Sequence, residues 1–397
     1  MPTPVIVDVV RLASGKGKMG GALSGTHPTS LLVHVLKAIV ERNDLDPALV
    51  DDVITGCVMQ GGEQALNIGR AAVLGAGFPE SVPATTIDRA CGSSQQAVHF
   101  AAQGVAAGAY DVVIAAGVES MSRVPMGSTT QGKDSAGPEV RARYPEGLVN
   151  QGVSAELVTR DWKFDRATLD EYAAESHRRA AAAIANGSFD NEIVPITVTD
   201  ADGNAVEHKV DETVRASTTA EGLARQNPAF RTDELAARFP DVEWAIHPGN
   251  SSPFTDGASA ALIMSEELAS RLGLTPRARF VSYAVTGSDP LMMLTGPIPA
   301  TQKALAKAGL GIDDIDAYEV NEAFAPVPLA WAHDLAADPA KLNPLGGAIA
   351  LGHALGSSGT RLLTTLVNHL EATGGRYGLQ TMCEAQGMAN ATIIERL

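Results

Sequence analysis

The stretch TTIDRACGSSQQAVHFAAQGVAAGAYDVVIAAGVES, residues 85–120, decides the fold class. It begins extended, breaks at Cys91-Gly92, and continues as an apolar, alanine-rich run with helical spacing. It ends in Asp111–Ser120, an apolar run short enough for a buried strand. Strand, helix and strand in this order imply an α/β body with a mostly parallel sheet under helical layers. A second stretch, DAYEVNEAFAPVPLAWAHDLAAD at 316–338, repeats the pattern of strand, polar punctuation and apolar helix. Cys91 and Asn321 take comparable places in the two copies. The echo implies a duplicated unit whose equivalent loops meet at one site.

Working outward, PVIVDVVRL (4–12) reads as a buried strand and HPTSLLVHVLKAIVERNDLD (27–46) as an amphipathic helix opened by Thr29 or Ser30. After Ser120 the texture changes. Residues 121–253 are richer in charge, Pro, Gly and Asp, and they contain one long helix capped by Asp165 and stopped at Gly187. This is an excursion from the α/β body. The body texture returns at DGASAALIMSEELASRLG, and the end, YGLQTMCEAQGMANATIIERL, reads as two strands joined by a tight turn.

Composition limits the function. The 397 residues exceed one ordinary core, so two or three domains are expected. A formal net charge of −16 argues against a broad nucleic-acid or anionic-membrane face. An anionic ligand would need local cations and helix N-termini. The three cysteines are odd in number and scattered, which fits neither a disulfide framework nor zinc spacing. No apolar run is long enough to span a bilayer, and the N-terminus lacks the pattern of a secretory leader. A reduced, cytoplasmic enzyme is the expectation.

Four places could carry chemistry. Cys91 lies at the first turn of a helix, where the dipole and free N–H groups favour a thiolate nucleophile. Gly92, Ser93 and Ser94 leave room for a substrate, and the backbone there could hold an oxyanion. The ordinary reading is an inert, buried cysteine. His353 stands between glycines in NPLGGAIALGHALGSSGTR (343–361), close to neutral titration and free to approach a second group. The ordinary reading is a loop histidine bonded to carbonyls. Cys383, in MCEAQG, could work as an acid or base toward carbon, or simply fill the core. Asn321, in EVNEAFA, could hold a water or substrate oxygen, or merely cap a helix. Cys57 has no such company and reads as structural.

Taken together, these pieces resemble the thiolase family. The cysteine in DRACGSSQQAV, then NEAFA, then NPLGGAIALGHALGSSGTR, follow that family's order and spacing. PGNSSPFTDGASA (248–260) is similar to its Gly-Asn-x-Ser segment, and GVSAELVTRDWKFDRATLDEYAAESHRRAAAA (152–183) to its excursion helix. The resemblance covers essentially the whole chain. It implies two similar βαβαβαββ halves stacked as five layers: residues 1–120 with 254–275, then 276–397, with a loop domain, 121–253, inserted in the first.

It also implies roles. Cys91 would be the acylated nucleophile, and His353 its base. His353 with a water on Asn321 would form one oxyanion hole. Cys383 would exchange the proton of the acetyl carbon. The backbone N–H groups of Cys91 and Ala385 would form the second hole. Ser252 and Arg215 match positions that touch coenzyme A in relatives. No permanently bound cofactor or metal is implied; coenzyme A and acyl-CoA are substrates. The implied partners are acyl-CoA and a second copy of the chain, as homodimer or homotetramer, with no nucleic acid. The implied reaction is cleavage of a 3-ketoacyl-CoA by coenzyme A to acetyl-CoA and a shortened acyl-CoA, in a β-oxidation-type degradation.

The chain departs from the family in three places. Relatives carry Cys-x-Gly-Gly-Gly where this chain has Cys383-Glu384-Ala385-Gln386-Gly387. If the turn needs positive φ at Ala385, the cost is about 1–2 kcal/mol. GHALG lacks the proline that often follows the loop histidine. NQGVSAE replaces His-Met-Gly along the acyl pocket, which opens the choice between linear and ring-bearing or branched chains. Competing readings are a biosynthetic acetoacetyl-CoA thiolase, a decarboxylating condensing enzyme, and an impaired acyl-CoA-binding paralogue. The order Cys91, Asn321, His353, Cys383 goes against the condensing enzyme.

Overall fold

The computed structural model describes residues 2–200 and 202–397. Among the described residues twelve strands form: β1 Pro4–Arg11, β2 Gly15–Lys16, β3 Asp52–Gly56, β4 Ala84–Ile87, β5 Val112–Ser120, β6 Ile196–Thr199, β7 Ala205–His208, β8 Thr255–Ser265, β9 Ala278–Gly287, β10 Ala317–Val320, β11 Tyr377–Glu384 and β12 Met388–Arg396. The main sheet runs β10-β11-β12-β9-β1-β8-β5-β3-β4, with β2 on β8 and a separate β6-β7 pair.

The order contains a repeat. In the first half β4 and β5 flank β3 in parallel, β8 is antiparallel to β5, and β1 is antiparallel to β8. In the second half β10 lies parallel to β11, then β12 and β9 follow antiparallel. The counterpart of β4 is reduced to one bridge, Tyr318 to Leu342. The halves meet at a seam of two pairs, Val5–Arg279 and Ile6–Ala278. The sheet is therefore mixed rather than mostly parallel. β8 runs against β3, β4 and β5 in the first half, and β12 runs against β10 and β11 in the second.

The inner strands are apolar on both faces because both faces are covered. Side chains alternate: Val112, Ile114, Ala116 and Val118 of β5 enter one core, while Val113 and Ala115 enter another. Helix Pro28–Arg42 packs on β1, β5 and β8; helix Pro297–Ala308 packs on β9 and β12. Between the two half-sheets lie helices Ser93–Ala106 and Ser358–Thr373, the second touching strands of both halves. The result is a five-layer αβαβα stack. Helix Pro28–Arg42 starts earlier than the sequence predicts. The ring nitrogen of His27 accepts from the Thr29 N–H, so histidine rather than Thr29 or Ser30 is the cap.

The 121–253 segment contributes helices Gln151–Asp161 and Arg166–Ala185, the latter capped by Asp165. Arg11 of β1 holds it to the body. Its buried guanidinium donates to Glu192 at 2.6 Å and to both oxygens of Asp211 at 2.8 and 3.0 Å. No helix among the described residues is long and apolar enough to cross a membrane.

The two central helices touch backbone to backbone. A Cβ on Gly359 would lie 2.1 Å from the Gln95 nitrogen. Gly359→Ala must therefore push the helices apart, at a cost of about 1–3 kcal/mol. The expected outcome is a lower thermal midpoint together with reduced turnover; an unchanged midpoint would contradict this packing.

Candidate active site

Cys91 sits where β4 hands over to helix Ser93–Ala106. The turn before it is tight. Ala90 takes φ 46°, a left-handed conformation rare for a residue with a side chain. Hydrogen bonds hold it there: Ala90 N–H to Asp88 at 2.7 Å, Arg89 N–H to Ser93 Oγ at 2.9 Å, and Ser93 Oγ to the Ala90 carbonyl at 2.6 Å. The thiol is 4 % exposed and opens into a cavity of about 670 Å³.

His353 reaches the same cavity from the loop ahead of helix Ser358–Thr373. Its Nδ1 lies 2.6 Å from Ser358 Oγ, and that hydroxyl donates to the Ala354 carbonyl at 2.8 Å. The hydroxyl proton is committed, so Nδ1–H donates to it and Nε2 keeps the lone pair. Asn321 Nδ2 stands 3.4 Å from Nε2. Asn321 Oδ1 is buried without a partner among the described residues. It is an acceptor waiting for a water or a substrate donor.

Cys383 lies near the end of β11, 1 % exposed, in the core formed by Met293, Ala323 and Phe324. It is close enough to Cys91 for a thiolate there to disfavour ionisation of Cys383. Burial governs all three groups. It raises the Cys91 thiol to about 12, helped by the Glu384 charge and opposed by the thiol's own backbone N–H and the Gln151 side chain. It raises Cys383 well above the usual thiol range. It lowers His353 to about 3, with the Arg361 charge adding to the effect. The resting site is uncharged, and desolvation outweighs the helix dipole that Cys91 was expected to exploit.

The turn after Cys383 resolves the question of Ala385. Positive φ falls on Gln386, at 61°, and on Gly387, at 78°, not on Ala385. The alanine is unstrained, and Ala385 and Gln386 line the cavity. Ser252 also lines it and bonds twice to the Ala323 carbonyl, at 3.0 and 3.1 Å. Arg215 does not line it; it is exposed, and its N–H donates to His177.

Two carboxylates that sequence reasoning passed over hold these loops in place. Glu119 of β5 accepts from the Val58, Met59 and Gly356 N–H groups and from Gln64 Nε2, at 2.7–3.1 Å. It thereby clamps the loop after β3 to the His353 loop. Glu322 accepts from Tyr172, Ser176, Asn343 and the Ile349 N–H at 2.6–3.1 Å. It ties NEAFA to the inserted helix. Their partners lie up to 237 residues away, so the only local hint was a charged residue inside an apolar run.

Comparison with known proteins shows the family to which the whole chain belongs. The family model for the thiolase N-terminal domain matches residues 4–267, and that for the thiolase C-terminal domain matches 274–396. The chain is 46 % identical to the steroid 3-ketoacyl-CoA thiolase of Mycobacterium tuberculosis, over all of this chain and 95 % of that protein. It is 44 % identical to a 3-ketoacyl-CoA thiolase of Photobacterium profundum over the full length of both. The crystal structure of the Bacillus anthracis acetyl-CoA acetyltransferase superposes with a TM-score of 0.88 at 38 % identity, covering 100 % of this chain and 99 % of that one. With both domains matched end to end, an α/β stack of the same fold, and Cys91, His353 and Asn321 gathered near Cys383, the chain belongs to the thiolase family of acyltransferases.

Proposed function

We propose that this chain cleaves 3-ketoacyl-CoA with coenzyme A, through an acyl group carried on Cys91. The observation that carries the reading is that Cys91 and His353 line one cavity, with Cys383 in the core behind its wall and Asn321, its amide oxygen unpartnered among the described residues, beside His353 Nε2. His353 Nε2 takes the proton of Cys91, and the thiolate adds to the 3-keto carbon. The resulting oxyanion faces the N–H groups of Cys91 and Ala385, neither of which donates to a backbone carbonyl of a turn or loop among the described residues. The Cα–Cβ bond then breaks. The acetyl-CoA enolate is held by the protonated His353 and a water on Asn321, and Cys383 gives its proton to the carbanion. After acetyl-CoA leaves, the Cys383 thiolate deprotonates coenzyme A. The new thiolate attacks the acyl-cysteine, and Cys91 recovers its proton from His353. Loss of one oxyanion donor would cost about 100 to 1,000-fold in rate.

The cavity wall supports a substrate larger than acetoacetyl-CoA. Val58, Met59, Met126, Met293, Phe230 and Phe324 make it apolar, and methionines adapt to irregular shapes. A relative named for steroid substrates is consistent with a ring-bearing acyl group, and we take that class, in degradation, as the physiological one. The unstrained Ala385 and the four intact catalytic side chains speak against an impaired paralogue. We take residues 121–253 as the inserted loop domain between the halves 1–120 with 254–275 and 276–397. Ser252 and Arg215 remain our choices for coenzyme A contacts, Arg215 toward its outer end. We read the chain as cytoplasmic and as a homodimer or dimer of dimers, with the open edge of β4 covered by a second copy.

Incubation with an acyl-CoA should label Cys91, and 3-ketoacyl-CoA with coenzyme A should then turn over. Cys91→Ser should give no adduct by peptide mass. Cys383→Ser should form the adduct yet release no acetyl-CoA; wild-type behaviour of both variants would refute the assignment. Ser358→Ala frees Nδ1–H to choose the other tautomer. It should lower kcat by about 10 to 100-fold, the range of a second-sphere partner, with KM little changed, and a variant at full kcat would remove Ser358 from the mechanism.

A further inference from the structure

Glu384 follows Cys383 directly, and nothing above gives it a task. It is 0 % exposed, and both carboxyl oxygens lack a partner among the described residues. A third orphan lies with them: Asn390 Oδ1 of β12. The Asn390 amide cannot turn to help, because its Nδ2 is committed to the Gly92 carbonyl at 3.1 Å. All of these groups press on the residue after Cys91. A Cβ on Gly92 would lie 2.0 Å from Glu384 Oε1 and 2.8 Å from Asn390 Nδ2. The carboxyl thus sits against the bare Cα at the start of the Cys91 helix.

A carboxylate has only acceptors, and three buried acceptors cannot satisfy one another. A neutral carboxylic acid supplies the one O–H the cluster lacks. We propose that Glu384 is a positioning residue for both sulfurs: it works as a neutral acid that shares its proton with Asn390, and its ionisation opposes each thiolate. The charged or titratable groups facing it are Asp88 and Arg89 on the turn, Cys91 at the helix start and Cys383 on its own strand. Arg89 is the cation of this set; its Nε is also buried without a partner, yet no ion pair or hydrogen bond joins it to Glu384 among the described residues, so the acid proton remains the donor within reach of Asn390 Oδ1. Burial raises the Glu384 carboxyl to about 8, opposed by Arg89 and helped by Asp88. Its charge is the largest raising influence on the Cys91 thiol after burial itself. The proton on Glu384 is therefore a condition for reactive sulfur.

The inference rests on the Cys91–Cys383 reading, but its test needs no turnover. The alkylation rate of Cys91 by iodoacetamide is measured from pH 6 to 10 in wild type and in Glu384→Gln. Glutamine keeps the shape and donates to Asn390 Oδ1 but cannot ionise. The ratio of variant to wild-type rate should climb about tenfold as pH rises past 8, the size of one pKa unit. A flat ratio overturns the proposal. So does a ratio already raised at pH 6, which would mean an ionised Glu384 balanced by Arg89. Infrared difference spectra at pH 7 give a second readout: a protonated-carboxyl band should be present in wild type and missing in the variant, and its absence from wild type refutes the neutral acid. Failure of the thiolase reading would show separately, as an alkylated Cys91 in a protein that never acylates it.

Discussion

The close approach of helices Ser93–Ala106 and Ser358–Thr373 is the constraint on which the rest depends. Glycine at 359 lets one backbone rest on the other, and Thr360 N–H donates to Ser94 Oγ at 3.0 Å across the contact. The N-terminal ends of both helices then lie together, with Cys91 just ahead of one and His353 just ahead of the other. Gly356 makes the second close contact, against Cys57 Cα and the Val118 carbonyl, and brings the His353 loop down onto β3 and β5. A methylene at either place would separate groups whose chemistry tolerates little displacement.

The fold buries several carboxyl groups, and they show three ways of living away from solvent. Glu119 and Glu322 are each ringed by donors from several segments and serve as clamps. Glu156, holding the Ala245 and Ile246 N–H groups, has fewer donors, and burial lifts it to about 7. Glu384 has no donor at all. Of Glu156 and Glu384, the one without donors is lifted further, as desolvation dictates.

Much of this was legible in the residues. The strand–Cys91–helix junction, its echo at Asn321, the Asp165 cap and the terminal hairpin all follow from local pattern, because period and turn chemistry are local properties. The mixed direction of the sheet was not legible, since an apolar run does not declare which way its neighbour points. The His27 cap was hidden because a ring nitrogen is an uncommon acceptor at a helix start. The roles of Glu119, Glu322 and Glu384 were invisible for a different reason: their surroundings are assembled from segments far apart in the chain. The placement of positive φ on Gln386 rather than Ala385 depended on hairpin register, which a glycine count cannot supply.

The stunted counterpart of β4 in the second half carries one more implication. At that end of the main sheet, β10 is capped by the single bridge from Leu342, whereas β4 closes the other end with no further strand beside it among the described residues. A sheet with one sticky end and one blunt end can join a copy of itself once, about a twofold axis, and then has no further template to offer. Loss of a strand from one half of a duplicated fold would thus limit strand-to-strand growth to a single edge.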